Sequence, residues 1–490
     1  MIKNEYIPLT ATQSKEVDAY TIETIINGQI LMENAGQSVV DVITEQYAKR
    51  PCTIYCGTGN NGGDGFVIAR LLHGLGWNVE VIIVGEEDKI DGDALIAKDK
   101  CIAVNHHKLK SDFVSHIDSG VPHIIVDAIF GTGLSREING QSEQAIETIN
   151  NSHAIVISVD IPSGINCTTG EVMGHAVHAD ITVTFGYPKI GHYLLPAKKH
   201  VGELNIKDIG LVTPPNLNVN CYVNHPALWE EKIPQRNMDS HKYKLGHSII
   251  VGGGFDDSSG AAELTGMAAA RIGSGLSTIV CPKSSLDSIA ATMRSVMVKG
   301  IDEINEFEHF ISDPRKNAFA VGMGCGVNND TKEKTLAILA QRKPCVIDAD
   351  AITVFQYNPK ELLDALHREC VITPHEGEFL RLFNVSGNKM DRVKKAARIS
   401  GCTVILKGND TVISTGETTV INTNAPPWLA TAGSGDVLAG MICGLMAQGM
   451  RAFDATCAAI WKHSDIANKL GSGLIADDLL LGISKSQHTD

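Results

Sequence analysis

The chain has 490 residues, of which 43% are hydrophobic and 20% charged, a composition typical of a globular protein with two or three domains. Its formal net charge of −14 argues against general binding to nucleic acid or to anionic membranes. The twelve cysteines form no CxxC pair, and the N-terminus shows no basic segment followed by an apolar one. We therefore expect reduced thiols, buried packing for Cys52 and Cys56, a cytoplasmic location, and neither nucleic acid nor a membrane as partner.

From residue 13 to 47 apolar residues recur with helical spacing, which predicts helical structure. Strands and helices then alternate to about residue 210. Apolar runs such as "CTIYC", "VEVIIV", "HIIVDAIF", "AIVISVD" and "DITVTF" predict buried strands. The alternation predicts an α/β, Rossmann-like domain of three layers over residues 1–215, with a parallel sheet between two layers of helices.

The alternation stops between residues 211 and 237, a stretch that holds four of the 17 prolines. We predict a linker over residues 216–240. A second α/β domain is predicted over 241–490, with strands at "HSIIV", "STIVC", "AFAVGM", "PCVIDA", "CVIT" and "TVILK". Near its end, "AGSGD" predicts a glycine turn that runs into an apolar helix.

Polar residues follow three strands of the first domain, at 60–64, 127–133 and 160–164. Ligands of open parallel sheets bind beyond the carboxyl ends of the strands, so these residues mark a candidate site. Its carboxylates, amides and hydroxyls suit a hard cation, or a ligand with sugar and amide groups. The alternative is that Asp127 and Asp160 only cap helices; their occurrence together with "NNGGDG" favours a site.

Gly57, Gly59 and Gly62 match the GxGxxG turn of dinucleotide-binding folds, and the acidic Glu86 and Glu87 follow at the expected distance. This short motif alone is weak evidence. A dehydrogenase also needs a hydride-transfer acid or base in a separate domain, whereas the second half shows a different motif. A dehydrogenase is therefore not favoured.

The second motif is "TAGSGDVLAG", in which Gly433 and Gly435 precede a helix. Free backbone N–H groups and the positive end of the helix dipole stabilise an anion there. Asp436 on the same turn is placed to take a proton from an attacking hydroxyl, although it could instead be an N-cap. "LKGNDTVI" predicts a hairpin in which Lys407 binds another phosphate, and "ITPHEGE" places His375 and Glu378 after a strand.

These motifs resemble a known family. "LMENAG", "NNGGDG", "DAIFGTGL", "VDIPSGI" and "FGYPKIGH" are similar to the NAD(P)H-hydrate epimerase domain. "SHKYKLGHSIIVGG", "IDADAI", "TPHEGE", "LKGNDTVI" and "GSGDVLAG" are similar to the ribokinase-like, ADP-dependent (S)-NAD(P)H-hydrate dehydratase. The whole chain resembles the bifunctional NAD(P)H-hydrate repair enzymes. The resemblance implies that one domain interconverts the C6 epimers of hydrated NADH or NADPH, and that the other dehydrates the S epimer with ADP to give AMP and phosphate.

For the first domain, the resemblance implies that substrate is bound by Asn60, Asn61, Gly62, Gly63, Asp64, Gly131, Thr132, Gly133, Leu134, Ser135, Arg136, Glu137 and Asp160. It implies a potassium ion at Asn61, Asp127 and Ser163. Epimerisation at C6 needs a proton donor and acceptor. Asp160 is the first candidate and Lys189 the second, because a lysine is more often a solvated surface charge.

For the second domain, the resemblance implies hydrate contacts at Ala261, Gly324, His375 and Asp436, and nucleotide contacts at Lys407, Gly408, Asn409, Asp410, Thr411 and Gly435. Magnesium is expected with the phosphates, and Asp436 as catalytic residue orients or deprotonates the C6 hydroxyl. Three segments depart from the family pattern: the turn 322–326 lacks a proline, Ala432 stands where glycine is frequent, and "GGGFDDSSGAA" is a loose version of its loop.

Two further hypotheses remain: a ribokinase-like kinase for a small molecule such as a vitamin precursor, and a non-catalytic nucleotide-binding scaffold. The residues leave ADP against ATP, and the NADH against the NADPH hydrate, as open alternatives. The resemblance also suggests a homo-oligomer.

Overall fold

The computed structural model describes residues 2–105, 123–235, 238, 241–254 and 259–485. The chain divides into two compact units, Met1–Val219 and Asn220–Asp490. Each unit contains one large sheet. The α/β class predicted for both halves is confirmed.

The first unit alternates strands and helices: α1 (Ala11–Thr24), α2 (Gly28–Gln46), β1 (Cys52–Cys56), α3 (Asn60–Gly74), β2 (Val79–Ile83), α4 (Gly92–Asn105), β3 (Ile124–Ala128), α5 (Gln141–Asn150), β4 (Ile155–Val159), β5 (Ile181–Phe185) and β6 (Glu203–Lys207). Its sheet has the order β2-β1-β3-β4-β5-β6, and every pair is parallel. The strand order reverses between β1 and β3, so a ligand crevice is expected beyond the carboxyl ends of these two strands.

The helical structure expected over residues 13–47 is present, and it is divided into two helices, α1 and α2. The side chain of Asn27 accepts a hydrogen bond from the N–H of Ile30 and caps the start of α2. Asparagine is a strong N-cap residue, so "NG" in this pattern marks a new helix rather than an interruption of one.

Strand β1 is buried on both faces, which explains its continuous apolar sequence. Ile54 packs in a cluster with residues of α2 and α3. The next residue, Tyr55, packs in a second cluster with residues of α5. Cys52 and Cys56 are buried thiols, as predicted.

The second unit is larger: β7 (Cys221–Val223), β8 (His247–Gly252), α6 (Ser259–Ile272), β9 (Leu276–Cys281), α7 (Leu286–Thr292), β10 (Met297–Gly300), α8 (Ile304–Ile311), β11 (Ala318–Met323), α9 (Asn329–Ala340), β12 (Cys345–Ile347), α10 (Asp350–Thr353), α11 (Pro359–Ala365), β13 (Cys370–Ile372), α12 (Glu376–Leu382), α13 (Lys389–Ser400), β14 (Thr403–Leu406), β15 (Val412–Ser414), β16 (Thr419–Ile421), α14 (Ser434–Ala447), α15 (Ala452–Leu470) and α16 (Ala476–Lys485). The sheet order is β10-β9-β8-β11-β12-β13-β14-β15-β16-β7. Strands β8 to β14 pair in parallel, whereas β15 is antiparallel to both of its neighbours.

The segment 216–240, expected as a linker, contains part of this second sheet. Strand β7 lies at the sheet edge and pairs with β16, with Cys221 opposite Thr419. Trp229 is buried in the core of the unit, and its Nε1 donates to Asn224 Oδ1 at 3.1 Å. The density of prolines obscured a short apolar run that completes the sheet.

Within the described ranges, no helix combines the length and the apolar character that crossing a membrane requires. The most apolar helix, α14, has 14 residues, against about 20 for a membrane span. Its residues from Val437 to Ala447 are buried in the core of the second unit.

Candidate functional site

The turn after β1 forms by a close approach of its own backbone. A Cβ placed on Gly62 would lie 1.9 Å from the carbonyl oxygen of Gly57, so a glycine is required there. Helix α3 begins at Asn60 and has Gly59 as its N-cap. The turn therefore places Asn61 on the first turn of a helix at the carboxyl ends of the strands, with Asp64 on the turn that follows.

Asp127 ties the ends of β3 and β4 together. Its Oδ2 accepts hydrogen bonds from Ser158 Oγ and from the N–H of Ser163, both at 2.8 Å, and its Oδ1 accepts one from Ser163 Oγ at 2.5 Å. Burial raises the pKa of Asp127, against these hydrogen bonds. Its partners lie on a strand and a loop, so the alternative that Asp127 caps a helix is wrong.

Asp160 lies directly after β4 in a left-handed backbone conformation, with φ = 66°. A non-glycine residue in this region is strained, and such strain is frequent at functional sites. Its carboxylate Oδ1 accepts a hydrogen bond from Lys189 Nζ at 2.5 Å and one from Thr184 Oγ1 at 3.0 Å. His192 Nε2 lies 3.0 Å from the carbonyl oxygen of Asp160. Asp160, like Asp127, is not a helix cap in the described part of this unit.

Lys189 is buried, with 4% of its surface exposed, so the alternative that this second candidate is a solvated surface charge is wrong. Burial alone would raise the pKa of Asp160, but the charge and hydrogen bond of Lys189 outweigh burial and hold it below its usual value. The pair is therefore a carboxylate and an ammonium in contact inside the protein.

The three polar segments converge at Gly131. A Cβ on Gly131 would lie 3.1 Å from Asn61 Oδ1 and 3.3 Å from Asp160 Oδ2. The loop after β3 therefore passes between the turn after β1 and the residue after β4. The convergence that the strand ends predicted is present around this glycine.

Two further carboxyl groups adjoin the pair. Burial raises the pKa of Asp64 well above its usual value, and the charges of Asp160 and Asp18 raise it further. Burial also raises the pKa of Asp18 to about 6; Lys189 opposes this rise and Asp160 adds to it.

Sequence reasoning missed Asp18, which lies on α1. The N-terminal segment pairs with the Lys189 segment: the N–H of Leu9 donates to Pro188 O, and the N–H of Ile190 donates to Leu9 O. Asp18 also follows buried Val17 on this helix. A carboxylate next to the buried face of a helix is the signal that could have indicated it.

The loop 131–137 divides into two parts. Leu134 packs in an apolar cluster with Ile129 and Ile138. Ser135, Arg136 and Glu137 are exposed. Their contact with a substrate stays a prediction.

In the second unit, α14 begins with a glycine elbow, the turn 433–435. Its N-cap is Gly433, with φ = 83°, and Asp436 is the third residue of the helix. The alternative that Asp436 is the N-cap is therefore wrong. Because glycine has no side chain to satisfy the first N–H groups of the helix, this end is suited to bind an anion.

Lys407, after β14, reaches the same elbow. Its Nζ donates to Asp348 Oδ1 at 3.0 Å and lies 3.8 Å from the position of a Cβ on Gly435. Burial lowers the pKa of Lys407, but Asp348 and Glu378 more than compensate, so the pKa is raised and the ammonium is retained. A cation thus lies beside the anion-binding turn.

Asp436 lies in a cluster of acidic groups. Burial raises its pKa to about 6; the charge of Asp348 raises it further, Lys407 lowers it and Asp350 raises it. A carboxylate with a pKa near neutrality can accept a proton in one step and release it in the next.

Asp348 and Asp350 follow β12 in the motif "IDADAI", and they are further carboxylates of this site that were not predicted from the sequence. Between them, Ala349 has φ = 46° and donates its N–H to Asp348 Oδ1 at 2.8 Å. The N–H of Gly326 donates to Asp350 Oδ2 at 2.8 Å. The turn without proline keeps left-handed or related conformations at all its glycines, Gly322, Gly324 and Gly326.

His375 follows β13 and caps α12. Its Nδ1 accepts hydrogen bonds from the N–H groups of Gly377 at 3.0 Å and Glu378 at 3.3 Å. The side chain is 57% exposed, so its other edge is open to solvent. Capping is thus one role of His375, and a hydrate contact stays a prediction.

The hairpin predicted at "LKGNDTVI" is present between β14 and β15. Thr411 Oγ1 donates to Gly408 O at 2.6 Å, Asn409 Nδ2 donates to Ala425 O at 3.1 Å, and Asp410 Oδ1 accepts from Lys389 Nζ at 2.5 Å. These bonds fix the loop beside Lys407.

Ala261 lies on the first turn of α6, and Gly324 follows β11. The same helix packs against the glycine elbow, since a Cβ on Gly433 would lie 2.7 Å from Leu264 Cδ1. Residues 255–258 of the loop before Ala261 lie outside the described residues. Contacts of Ala261 and Gly324 with a hydrate stay predictions.

Comparisons with known proteins match each of the two compact units to a different family model. The family model described as NAD(P)H-hydrate dehydratase matches residues 249–484, and the one described as YjeF-related protein N-terminus matches residues 28–191. The bifunctional NAD(P)H-hydrate repair enzyme Nnr of Methanothermobacter thermautotrophicus is 34% identical, over 92% of this chain and 89% of that protein. The enzyme of the same name from Moorella thermoacetica is 32% identical, over 96% and 95%. The solved structure of a ribokinase-like superfamily protein from Enterococcus faecalis aligns with 52% of this chain and 90% of its own, at 26% identity and a TM-score of 0.48.

Proposed function

Since the chain belongs to the family of bifunctional NAD(P)H-hydrate repair enzymes, we propose that its two units catalyse consecutive steps of one repair. The first unit interconverts the R and S epimers at C6 of hydrated NADH or NADPH. The second uses ADP to remove water from the S epimer. The observation that supports this most is a buried Asp160–Lys189 pair in one unit and Asp436 beside a glycine elbow in the other.

Epimerisation breaks and remakes a bond at C6, so one group must accept a proton and another must donate one. Asp160, held ionised by Lys189, is the acceptor. Asp64, whose pKa burial raises well above its usual value, is the donor. Two carboxyl groups whose surroundings move their pKa values in opposite directions are a typical acid–base pair.

The donor set fits a potassium ion. Asn61 Nδ2 is buried and has no hydrogen-bond partner among the described residues, so this amide is free to turn its oxygen toward a cation. Asp127 and Ser163 supply further buried oxygens. Asn61, Asp127 and Ser163 would hold the ion, which supplies fixed positive charge near the substrate; Asp160 and Asp64 handle the protons.

To test the ion site, epimerisation is measured in potassium and in choline buffers. We expect wild-type epimerisation to fall about tenfold without potassium, a loss of about 1.4 kcal/mol in transition-state stabilisation. Asn61→Ala should be slow in both buffers. Dehydration by the same samples is the control and should not change. An Asn61→Ala enzyme with the full potassium response would place the ion elsewhere.

In the reaction of the second unit the hydroxyl group on C6 must leave, and hydroxide is a poor leaving group. Asp436 takes the proton of the C6 hydroxyl while that oxygen attacks the β-phosphorus of ADP, and AMP leaves. The phosphorylated C6 oxygen then departs as phosphate, and loss of a proton restores the reduced nicotinamide. The N–H groups of the elbow and the ammonium of Lys407 stabilise the charge on the transferred group.

The carboxylates of Asp348, Asp350 and Asp436 give this site more negative than positive charge, and the nucleotide phosphates would add to it. This donor set fits a magnesium ion, which would neutralise the phosphates when bound. Lys407 and the loop to Thr411 bind the nucleotide.

The test supplies purified S hydrate with ADP and follows recovery of the reduced nicotinamide absorbance, with AMP and phosphate as co-products. A small-molecule kinase would instead convert its substrate into a stable phosphorylated product with ATP. A failure to recover absorbance with either nucleotide would contradict the proposal.

A further inference from the structure

Three side chains at the start of β12 and β13 form a cluster that the repair reaction does not use. Cys345 and Cys370 are the first residues of these neighbouring parallel strands and lie directly opposite each other in register. His367 begins the turn that leads into β13. Asp348 and His375 follow the carboxyl ends of the same two strands. The cluster therefore lies at the amino ends of the strands, on the opposite side from the proposed nucleotide site.

The three side chains are close together. The Sγ atoms of Cys345 and Cys370 are 3.4 Å apart. One imidazole nitrogen of His367 and both sulfurs all lie within 4.8 Å of one another. Two sulfurs bound to one zinc ion at about 2.3 Å are separated by roughly 3.8 Å in a tetrahedral arrangement. The spacing is thus close to that of a tetrahedral site, and it is too long for a disulfide bond of about 2.05 Å.

The burial of the cluster points to a ligand. Both cysteines are fully buried and His367 is 8% exposed. Among the described residues, the Nε2 atom of His367 is buried without a hydrogen-bond partner. A buried polar nitrogen without a partner is costly, and a cation bound to that nitrogen would remove the cost.

We propose that Cys345, His367 and Cys370 bind one zinc ion, or a metal ion of the same thiolate-preferring class. Two thiolates and an imidazole are ligands that zinc prefers. Binding displaces one proton from each thiol to solvent, and the two negative charges then balance the Zn²⁺ charge inside the core. The bound ion would join the starts of β12 and β13 to the turn before β13.

The chain offers a closely matched control. Cys402 directly precedes β14, the next strand of the sheet, and is also buried. Its Sγ engages Ser400 Oγ at 3.3 Å and the carbonyl oxygen of Thr403 at 3.6 Å. Cys370→Ala and Cys402→Ala each delete one buried thiol at the start of neighbouring strands, but only the first deletes a proposed ligand.

A second cluster could also bind cations and needs its own control. Glu143, Glu147 and His175 lie together in the first unit, with His175 Nε2 3.0 Å from Glu143 Oε1. It contains no sulfur. A metal ion there would lack thiolate ligation, and His175→Ala should remove it.

The experiment measures metal content and Co²⁺ spectra of the reduced full chain after chelator treatment and reloading. We expect about one Zn²⁺ per chain at the sulfur site and a thiolate-to-cobalt charge-transfer band. Cys370→Ala and His367→Gln should lose this band, whereas Cys402→Ala and His175→Ala should keep it. Circular dichroism checks folding.

X-ray absorption of the wild-type protein loaded with zinc identifies the ligands of the metal without any substitution. We expect two sulfur ligands and one imidazole nitrogen. The proposal is overturned if wild-type protein takes up no metal, if the zinc has no sulfur neighbours, or if Cys402→Ala loses the band as Cys370→Ala does. A disulfide bond would be identified instead if, without reductant, the mass of the protein is lower by two hydrogen atoms and the protein takes up no metal.

Discussion

Lys189 Nζ donates a hydrogen bond to Asp160 Oδ1 at 2.5 Å, and both side chains are buried at the carboxyl edge of the first sheet. Removing one partner of a buried ion pair leaves an uncompensated charge. The pair therefore links the stability of this unit to its chemistry.

We expect Lys189→Ala to slow epimerisation by about 10²-fold and to lower the free energy of unfolding by about 3 kcal/mol. The side chain of Lys199 is exposed, so Lys199→Ala should change neither the epimerisation rate nor the free energy of unfolding. The measurements are epimer exchange by chromatography and denaturant unfolding. The double variant Asp160→Asn with Lys189→Met should recover stability but not rate; recovery of both would show that the pair is only structural.

A second prediction concerns Asp18, whose negative charge raises the pKa of Asp64. Removing that charge lowers the pKa of Asp64, so Asp64 loses its proton at a lower pH. In Asp18→Asn, the fall of epimerisation rate on the alkaline side should therefore move to lower pH. Glu16→Gln, on the exposed face of the same helix, is the control. An unchanged pH profile in Asp18→Asn would remove Asp18 from the site.

The two ends of α14 allow a matched test of the glycine elbow. Gly433 and Gly449 have φ of 83° and 99°, so alanine is strained at both, by about 1–2 kcal/mol. A Cβ on Gly433 would also collide with Leu264, whereas one on Gly449 has open space. We expect Gly433→Ala to lower the dehydration rate at least tenfold, and Gly449→Ala to leave it near wild type. Equal rates in steady-state assays of the two would mean that the elbow does not bind phosphate.

The raised pKa of Asp436 also predicts that ionisation of this side chain lowers the stability of the fold. Its pKa is 3.8 in the unfolded chain and about 6 in the folded protein, so the folded state binds the proton more tightly. Ionisation therefore destabilises the fold progressively between these pH values, and the full cost is present above about pH 6. We expect Asp436→Asn to raise the free energy of unfolding by on the order of 1 kcal/mol at pH 7.5, with no gain below pH 3.8. A gain that does not depend on pH would have another cause.

The strands and the polar residues that follow them could be predicted from the sequence, because apolar runs end where the chain leaves a buried sheet. Asp127, Asp160 and the 60–64 turn were predicted in this way. The helix break at Asn27 and the strand at Cys221 were missed, because an N-cap and a three-residue edge strand are weak local signals.

The partners of site residues could not be predicted, because the fold alone brings them together. Lys189 is buried because Asp160 and Thr184 surround its ammonium group. Asp18 reaches the site only because the N-terminal segment pairs with residues near Lys189. The cluster of Cys345 and Cys370 likewise depends on strand register.

The central claim is that the two units act at separate sites on one damaged dinucleotide. In the most direct measurement, the Asp436→Asn variant is incubated with pure R hydrate and ADP. Both epimers and the reduced dinucleotide are followed by chromatography. The account predicts that S hydrate accumulates at the wild-type epimerisation rate while no reduced dinucleotide forms. Formation of reduced dinucleotide at the wild-type rate, or loss of epimerisation in a folded variant, would contradict it.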